Sequence, residues 1–279
     1  MLSEDELGRV CVVLVRARNP SNIGAAARAM HDFGFARLRV VNEFPLPFEA
    51  AKSAVDASEV MASATNCASV ADAVGDCTLV VGTTAVGERQ VQHELLTLAE
   101  AAPRIRAELR LGGEGRVALL FGSEKTGLSN EELSHCHWLL TVPMRKHAGM
   151  RHASMNLGQA VAVCLYELVR EGIRDGERGE RGQHAEPTSQ DRDAHPSQQA
   201  GRGPRDVGHP AAAAANLERI TALLQQVMEK TGYSLRHPHN CDPAQVRRLV
   251  RRIGVDAVDA PVWLGILKQI LWKLGGERG

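Results

Sequence analysis

The sequence is poor in aromatic residues and carries no net charge. Aromatic residues make up 4% of its 279 residues and apolar residues 44%. A core for one large or two modest domains must therefore be built mainly from Ala, Val and Leu. Lys plus Arg equal Asp plus Glu, at 33 each. This balance argues against a polybasic protein, but it leaves room for a local basic face.

Paired cysteines, targeting signals and long apolar runs are also missing. The six cysteines are scattered and no CxxC pair occurs, which argues against a zinc ribbon or a redox dithiol. The first residues, MLSEDELGRV, are acidic and polar, unlike a signal peptide. No apolar run approaches the ~18 residues of a membrane span. We therefore expect free thiols, no metal and no membrane contact, in a cytoplasmic protein.

Residues 174–206 lack every large apolar residue: no Val, Leu, Ile, Met, Phe, Tyr or Trp occurs there. A segment of this composition cannot bury enough apolar surface to offset its chain entropy. We therefore predict three parts, which are a first domain over residues 1–173, a disordered linker over 174–206 and a helical C-terminal domain over 207–279.

Apolar runs and helical patterns alternate along the first part. Five short apolar runs predict strands at residues 10–15, 38–41, 78–82, 117–121 and 139–142. Periodic patterns predict helices at residues 22–33, 50–65, 70–74 and 157–171. This order predicts an α/β fold with a mostly parallel sheet. Such sheets bind ligands at the carboxyl ends of their strands.

The C-terminal part reads as three helices. Leu217, Ile220 and Leu224 fall on one apolar stripe. Asp242 followed by Pro243 is typical of a helix start, and residues 261–274 form a third helical pattern. Because a piece of this size has little core of its own, we expect it to dock on a partner subunit or on RNA.

The first candidate motif, residues 18–28 (RNPSNIGAAAR), directly follows the first strand. Its small residues let a ligand or another backbone come close. Asn22 and Arg28 are six residues apart, about 600° around a helix, and so lie on different faces. Both can approach one site if Asn22 lies in the loop or the first turn. The alternative is that Arg28 is a solvated helix residue and Asn22 only a cap.

The second motif, residues 121–128 (FGSEKTGL), ends a predicted strand. Gly122 and Gly127 bracket a turn that carries the carboxylate of Glu124. Glycines at a strand end permit close approach of a nucleotide-like ligand. The motif is neither a dinucleotide fingerprint nor a P-loop, and an ordinary turn explains it equally well.

The third motif connects Val142 to the long helix through a basic loop. Residues 154–157 (SMNL) open the helix, where Ser154 or Asn156 could cap it and exposed amides could bind a polar ligand group. The loop before them, residues 145–152 (RKHAGMRH), has four or five potential positive charges, which suit phosphate contacts. A solvated loop is the alternative.

Taken together, the three motifs resemble the SPOUT superfamily of RNA methyltransferases. The resemblance covers about residues 8–172, in the right order and spacing. It is greatest to the TrmH-like branch and, within it, to TrmJ-type tRNA 2′-O-methyltransferases. Residues 82–85 (GTTA) also resemble that type, and so does the tail around residues 237–252, less specifically.

The resemblance implies a SPOUT fold with a C-terminal trefoil knot, a rare topology, and a small C-terminal helical extension. It also implies a homodimer whose active site lies near the subunit interface. The methyl donor S-adenosylmethionine would be held in a bent conformation by main-chain groups. The donor-binding residues it implies are Thr83, Thr84, Ala85, Gly122, Val142, Ser154, Met155, Asn156 and Leu157.

The resemblance further implies that Arg28 and Asn22 are catalytic. A guanidinium has a pKa above 12 and is not a base in its normal state. We therefore expect Arg28 to lower the pKa of the ribose hydroxyl and to position the RNA, with the hydroxyl in line with the donor methyl at about 3 Å. The residues expected to contact RNA are Arg18, Arg145, Lys146 and Arg151.

Two features on the RNA-facing side depart from the TrmJ-type pattern. Val86 and Gly87 follow the TTA element, where these enzymes often have an arginine. The basic loop is longer than expected for these enzymes, and its sequence is more similar to that of relatives that modify the wobble nucleotide. The tail favours a tRNA substrate methylated on cytidine or uridine at position 32 of the anticodon loop. Another RNA, such as ribosomal RNA or the wobble nucleotide, is the first alternative.

A non-catalytic RNA-binding protein is a second alternative, and it would use the basic loop and residues 247–252. The joint presence of the candidate site residues argues against it; they are Asn22, Arg28, Gly122, Glu124 and Asn156. A nucleotide-binding dehydrogenase is more distant, because no Gly-rich fingerprint follows the first strand.

Overall fold

The computed structural model describes residues 2–42, 57–85, 92–111, 113–145, 155–181 and 210–275. Seven strands form one sheet in the order β3-β2-β1-β6-β4-β7-β5, and every pairing is parallel. The predicted mostly parallel α/β sheet is confirmed. The strands are β1 (Val10–Val15), β2 (Arg37–Val41), β3 (Thr65–Cys67), β4 (Cys77–Thr83), β5 (Leu95–Thr97), β6 (Arg116–Phe121) and β7 (Trp138–Thr141).

Eleven α-helices are present in the described part of the chain, together with one 3-10 turn at Pro238–Cys241. The helices are α1 (Glu4–Gly8), α2 (Pro20–Asp32), α3 (Ser58–Ala62), α4 (Val70–Val74), α5 (Leu98–Arg110), α6 (Asn130–Ser134), α7 (Leu157–Arg181), α8 (Ala214–Lys230), α9 (Tyr233–Arg236), α10 (Pro243–Ile253) and α11 (Asp259–Gly275).

The sheet is buried on both faces, which explains why β1 is apolar throughout. Val10, Val12 and Leu14 pack into one core cluster with residues of α2, α5 and α7. Cys11 and Val13, which point to the opposite face, pack into a second cluster with residues of α4 and α6. Since successive side chains of a strand alternate between faces, a strand covered on both sides has no polar position.

The five predicted strands are confirmed, but one predicted helix is wrong in part. Of the expected helix at residues 50–65, residues 50–56 lie outside the described residues, and only Ser58–Ala62 is helical. Thr65–Cys67 instead forms β3 and pairs with Arg39–Val41 of β2. Pairing with a neighbouring strand overrides a weak helical pattern at the edge of the sheet.

The strand β5 and the helix α5 were not predicted, although a local signal marks the start of α5. The Thr97 side chain accepts a hydrogen bond from the backbone of Glu100, and the Glu100 side chain bonds back to the backbone of Thr97. This capping box is readable from a Thr followed three residues later by Glu. The helix α7 continues to Arg181, into the segment 174–206 for which we predict a linker.

Several expectations from composition can be compared with the structure. The thiols of Cys11, Cys77, Cys136 and Cys164 are free and buried, as expected, while Cys67 and Cys241 are half-buried. Within the described ranges, no helix is long and apolar enough to cross a membrane.

The C-terminal helices pack against the sheet part of their own chain. Glu218 of α8 accepts hydrogen bonds from Arg247 Nε (3.1 Å) and from Arg251 Nη2 (2.6 Å) of α10. These two arginines also reach the segment after β6: Arg247 donates to Ser134 Oγ at 2.8 Å and Arg251 to the carbonyl of His135 at 2.8 Å. The expectation that this piece docks on a partner or on RNA therefore missed its docking on its own chain.

Glu218 is the hub of this contact, because three groups converge on its carboxylate. Nδ1 of His135 lies 3.1 Å from its Oε1 atom, beside the two arginines. Burial opposes ionisation, but His135 and Arg251 outweigh it and lower the pKa of Glu218 to about 2. The Arg251 side chain is only 1% exposed, so it depends on this carboxylate to offset its charge.

We expect Glu218→Ala to lower the free energy of unfolding by about 3 kcal/mol, because it leaves Arg251 buried without its counter-charge. Urea denaturation at pH 7 measures this change. The matched control is Glu229→Ala, an exposed glutamate of the same helix, which should change stability by less than about 0.5 kcal/mol. Equal effects of the two substitutions would contradict the assignment.

The same contact predicts a pH dependence. The pKa of Glu218 is lowered by folding, so its stabilising effect is complete above the unfolded value of 4.5 and is lost as the pH falls toward about 2. The stability difference between the wild type and Glu218→Ala should therefore shrink as the pH is lowered through this range.

Candidate active site

Three segments that are far apart in the sequence meet at the carboxyl edge of the sheet. Asn22 Nδ2 donates a hydrogen bond to Glu124 Oε1 at 2.6 Å. Asn156 Nδ2 donates to Asn22 Oδ1 at 3.1 Å, and the backbone N–H of Gly158 donates to Asn156 Oδ1 at 3.0 Å. The structure thus joins the three sequence motifs in one chain of hydrogen bonds, which we call the amide chain.

Asn22 reaches this position from the first turn of α2. The helix begins at Pro20, and the side chain of Asn19 caps it by accepting from the backbone of Ser21 at 2.9 Å. The alternative in which Asn22 is only a helix cap is therefore wrong, because Asn19 holds that role. Released from capping, the Asn22 amide can bind Glu124 and Asn156.

Small residues bring α7 close enough to α2 for this contact. A Cβ atom added at Gly158 would lie 2.6 Å from the Cβ of Ala25, closer than real side chains approach. The helix backbones can therefore meet here only because both positions are small. This close approach places Asn156, two residues before Gly158, beside Asn22.

The loop that carries Glu124 folds back on itself. The backbone N–H of Gly127 donates to the carbonyl of Ser123 at 2.8 Å, and Gly127 has φ +65°. A Cβ atom at Gly122 would lie 2.2 Å from the carbonyl carbon of Gly127. The loop's own backbone therefore requires Gly122, a reason that differs from the ligand approach suggested by the sequence.

Arg16, which is not part of the sequence motifs, holds this loop in place. Arg16 Nε and Nη2 donate to the two carboxylate oxygens of Glu132, at 2.6 and 3.0 Å. Arg16 Nη2 also donates to the carbonyl of Gly127 at 2.9 Å. Burial opposes ionisation of Glu132, but Arg16 and the backbone of Ser129 outweigh it, and the pKa of Glu132 is lowered.

Arg16 adopts a backbone conformation that its sequence does not reveal. It follows β1 directly and has φ +56°, the one positive value outside glycine in the described residues. Such a conformation is costly for a residue with a side chain and persists only where the surroundings compensate it. The bidentate pair with Glu132 is that compensation. The sequence signal that could have singled out Arg16 as a residue of interest is its charge directly after a buried strand.

The predicted donor-binding residues that can be described cluster at the same edge. Thr83 Oγ1 donates to the carbonyl of Leu120 at 2.9 Å, and the backbone N–H of Thr84 donates to the carbonyl of Leu140 at 3.0 Å. These bonds align the ends of β4, β6 and β7. Ala85 is exposed, whereas Gly122, Val142 and Met155 are half-buried and Leu157 is buried.

Arg28 lies apart from the amide chain. It is exposed on α2, roughly 240° around the helix and about 9 Å along its axis from Asn22. Of the residues expected to contact RNA, Arg18 and Arg145 are exposed, while Lys146 and Arg151 lie outside the described residues, as does Ser154. Within the described ranges, no group of His, Cys, Asp and Glu side chains could hold a metal ion.

The arginine-rich stretch 247–252, which the RNA-binder alternative would use, is partly structural. Arg247 and Arg251 are engaged with α6 and α8, as described above. They are thus committed to the fold, which weakens the case for the whole stretch as a binding surface.

A family model described as the SpoU rRNA Methylase family matches residues 9–166. The chain belongs to this family. The matched region contains Asn22, Glu124 and Asn156, so the amide chain lies inside the methylase region. The predicted resemblance to RNA methyltransferases is confirmed at this level.

Individual relatives agree with the family. The chain is 32% identical over 269 residues to a tRNA (cytidine/uridine-2′-O-)-methyltransferase TrmJ from Yersinia enterocolitica, covering 96% of this chain and 92% of the relative. The protein of the same name from Escherichia coli K12 is 31% identical, with 95% and 94% covered. Among solved structures, TrmJ from Z. mobilis ZM4 has a TM-score of 0.69 at 28% identity, with 93% and 98% covered.

We expect Gly122→Ala to destabilise the protein by about 1–3 kcal/mol, because the added methyl group would overlap the backbone of Gly127. Thermal unfolding measures the effect. The control is Gly8→Ala, since a Cβ atom at Gly8 meets nothing within 4 Å; its melting temperature should stay the same or rise slightly. A Gly122→Ala protein as stable as the wild type would contradict the described closure of the loop.

Proposed function

We propose that the protein transfers a methyl group from S-adenosylmethionine to the ribose 2′-hydroxyl of a cytidine or uridine in tRNA. The observation that carries this proposal is the amide chain, which unites the three methylase motifs at the carboxyl edge of a parallel sheet. Family membership supports the reaction type, and relatives named for this activity match nearly the whole chain.

The residues at this edge fit a donor held by main-chain groups. The ends of β4, β6 and β7 lie side by side around Thr84, with the half-buried Gly122 and Val142 next to them, so polar backbone groups meet where ligands of parallel sheets bind. S-adenosylmethionine supplies an electrophilic methyl group on a positively charged sulfur. We propose that residues 83–85, Gly122, Val142 and 154–157 hold it.

In this proposal, Asn22 and Asn156 are positioning residues. Asn156 Oδ1 accepts from the N-terminus of α7, and its Nδ2 donates to Asn22. Each side-chain amide nitrogen carries two N–H groups, and one of them is used in the amide chain. The second N–H of each can face the ligand, so that fold and ligand share the same side chains.

We propose that Arg28 stabilises the developing negative charge on the ribose oxygen and orients the RNA. A fixed positive charge near that oxygen lowers the pKa of the hydroxyl without acting as a base. Because Arg28 lies on a different face of α2 from Asn22, it is suited to serve the donor site of a second protomer. This arrangement agrees with the homodimer implied by the family resemblance.

The finer features of the fold belong to the same proposal. In the sheet, β7 lies between β4 and β5, although it follows both of them in the sequence. This order permits the trefoil knot that we propose for residues up to 173. We further propose that residues 174–206 are a linker and that residues 207–279 are a helical C-terminal domain. We also propose a cytoplasmic location, where tRNA is modified.

We expect Arg28→Ala to lower the rate of methyl transfer by roughly 100-fold or more, because transition-state charge loses its counter-charge. Binding of S-adenosylmethionine, measured by calorimetry, should remain. Transfer of labelled methyl groups to unmodified tRNA measures the rate. Arg110→Ala, at an exposed arginine of α5, is the control and should stay active. An Arg28→Ala protein with full turnover would refute this role.

Subunit exchange tests whether Arg28 serves the second protomer. Arg28→Ala protein is mixed with a variant impaired in donor binding, such as Asn156→Ala. If Arg28 acts across the interface, mixed dimers contain one intact site and partial activity returns. If Arg28 acts within its own protomer, the mixture stays as inactive as its components.

Mapping the methylated nucleotide identifies the target. We expect the wild type to methylate position 32 of a tRNA transcript, and a 2′-deoxyribose at position 32 should abolish transfer. Mass spectrometry of nuclease fragments locates the modified ribose. Methylation of the wobble nucleotide or of ribosomal RNA instead would move the assignment to the alternative substrates, and failure with every RNA would overturn the proposed function.

A further inference from the structure

A groove of about 460 Å³ separates the sheet part from the C-terminal helices. One wall contains His93, which precedes β5, and Leu133 of α6. The other wall contains Pro243 and Arg248 of α10. The groove exists because Arg247 and Arg251 hold α10 against the end of α6, so its shape depends on both parts of the chain.

His93 lines this groove and carries an unsatisfied polar atom. Its Nε2 atom is buried and has no hydrogen-bond partner among the described residues. Burial and the nearby charges of Arg248, Arg251 and Arg252 lower the pKa of His93 to about 4. The ring is therefore neutral at pH 7, with one N–H donor and one acceptor nitrogen. A buried polar atom of this kind normally has a partner.

The charges around the groove indicate the chemistry of a ligand. Glu131 and Asp242 line it together with Arg248, so a free anion would meet carboxylates and a free cation would meet the guanidinium. Leu133 and Pro243 add apolar surface. A flat, uncharged group with donors and acceptors at its edge fits this mixture.

An unpaired nucleobase is such a group. Proteins that recognise single-stranded RNA stack bases on aromatic rings, including His, or on the plane of an Arg guanidinium, and bind the base edges with polar side chains. His93 and Arg248 supply the two planar groups here. Gln92 and Asn130, whose amides both donate and accept hydrogen bonds, also line the groove.

One residue that lines the groove is near the candidate active site in the sequence. Asn130, which lines it, is only two residues beyond Leu128, where the loop carrying Glu124 ends. Asn130 is six positions beyond Glu124, which limits the distance between their Cα atoms to about 20 Å. A nucleotide in the groove would therefore lie within a short stretch of RNA from the methylated ribose.

We propose that this groove binds an unpaired base of the RNA substrate, stacked between His93 and Arg248, a few nucleotides from the methylated ribose. The inference rests on the proposed function and assigns part of the substrate recognition to the junction between the sheet and the C-terminal helices. Docking of the C-terminal helices thereby creates a recognition site that neither part holds alone.

Fluorescence anisotropy with labelled, unmodified tRNA and the full-length protein tests the proposal. We expect His93→Ala and Arg248→Ala each to weaken tRNA binding about tenfold, the usual effect of removing one stacking partner. His239→Ala and Arg236→Ala are matched controls, because both residues are exposed on the C-terminal part and neither lines the groove. The controls should bind as the wild type does, and melting curves should verify that every variant is folded.

Two readouts separate base stacking from a phosphate contact. His93→Ala should weaken binding without changing its salt dependence, since a neutral ring releases no counterion, whereas losing a phosphate contact lowers the slope by about one. Arg248→Lys keeps the charge but loses the planar group, so it should weaken binding nearly as much as Arg248→Ala. Full binding by Arg248→Lys would overturn stacking in favour of a phosphate contact.

The outcomes distinguish this proposal from the proposed function. If the wild type methylates tRNA and both groove variants bind it normally, the groove proposal is overturned and the proposed function stands. If the wild type neither binds nor methylates tRNA, the proposed function is overturned, and the groove proposal, which rests on it, is overturned with it. Equal losses in the controls would also overturn the groove, because the effect would then belong to the whole C-terminal surface.

Discussion

Parallel pairing of all seven strands is the constraint from which the arrangement of the site follows. Parallel strands all end at the same edge, so the segments that leave β1, β4, β6 and β7 emerge side by side. Each strand must then be followed by a crossover, and the crossover helices cover both faces of the sheet. Asn22, Glu124 and Asn156 meet at this edge because each belongs to a segment that leaves it.

Ion pairs between distant segments fix the relative positions of loops and helices that the sheet only brings near one another. Arg16 binds Glu132 across 116 positions of the sequence, and Arg251 binds Glu218 across 33. Buried pairs of this kind contribute little net stability, because desolvation opposes their attraction, but breaking one leaves a costly unpaired charge. Their main effect here is to set position: one holds the loop of Glu124, and the other joins α10 to α8, while the same arginine also donates to His135 at the end of α6.

The sequence was informative where a local pattern determined the outcome. The unbroken apolar run of β1 and the alternation of strands and helices predicted the sheet, and the position of the three motifs after predicted strands placed them at its carboxyl edge. The three-residue strand β5 carries too short a pattern, and β3 exists only through pairing with β2. The left-handed backbone of Arg16 and the docking through Glu218 depend on partners far along the chain, which no local window contains. Gly122 was predicted to bind the donor, and the structure shows a separate requirement for glycine there, in the fold of its own loop.

The hydrogen bond between Asn22 and Asn156 has a consequence for synthesis of the chain. It spans 134 positions, and Asn156 is held in place by the first turn of α7, the helix that follows the last strand. As a chain emerges from the ribosome with its N-terminus first, Asn22 and Glu124 are both made before their third partner. A nascent chain ending before Gly158 can contain every strand and still lack the completed amide chain. Formation of this edge thus requires synthesis of every strand of the sheet and of the start of α7.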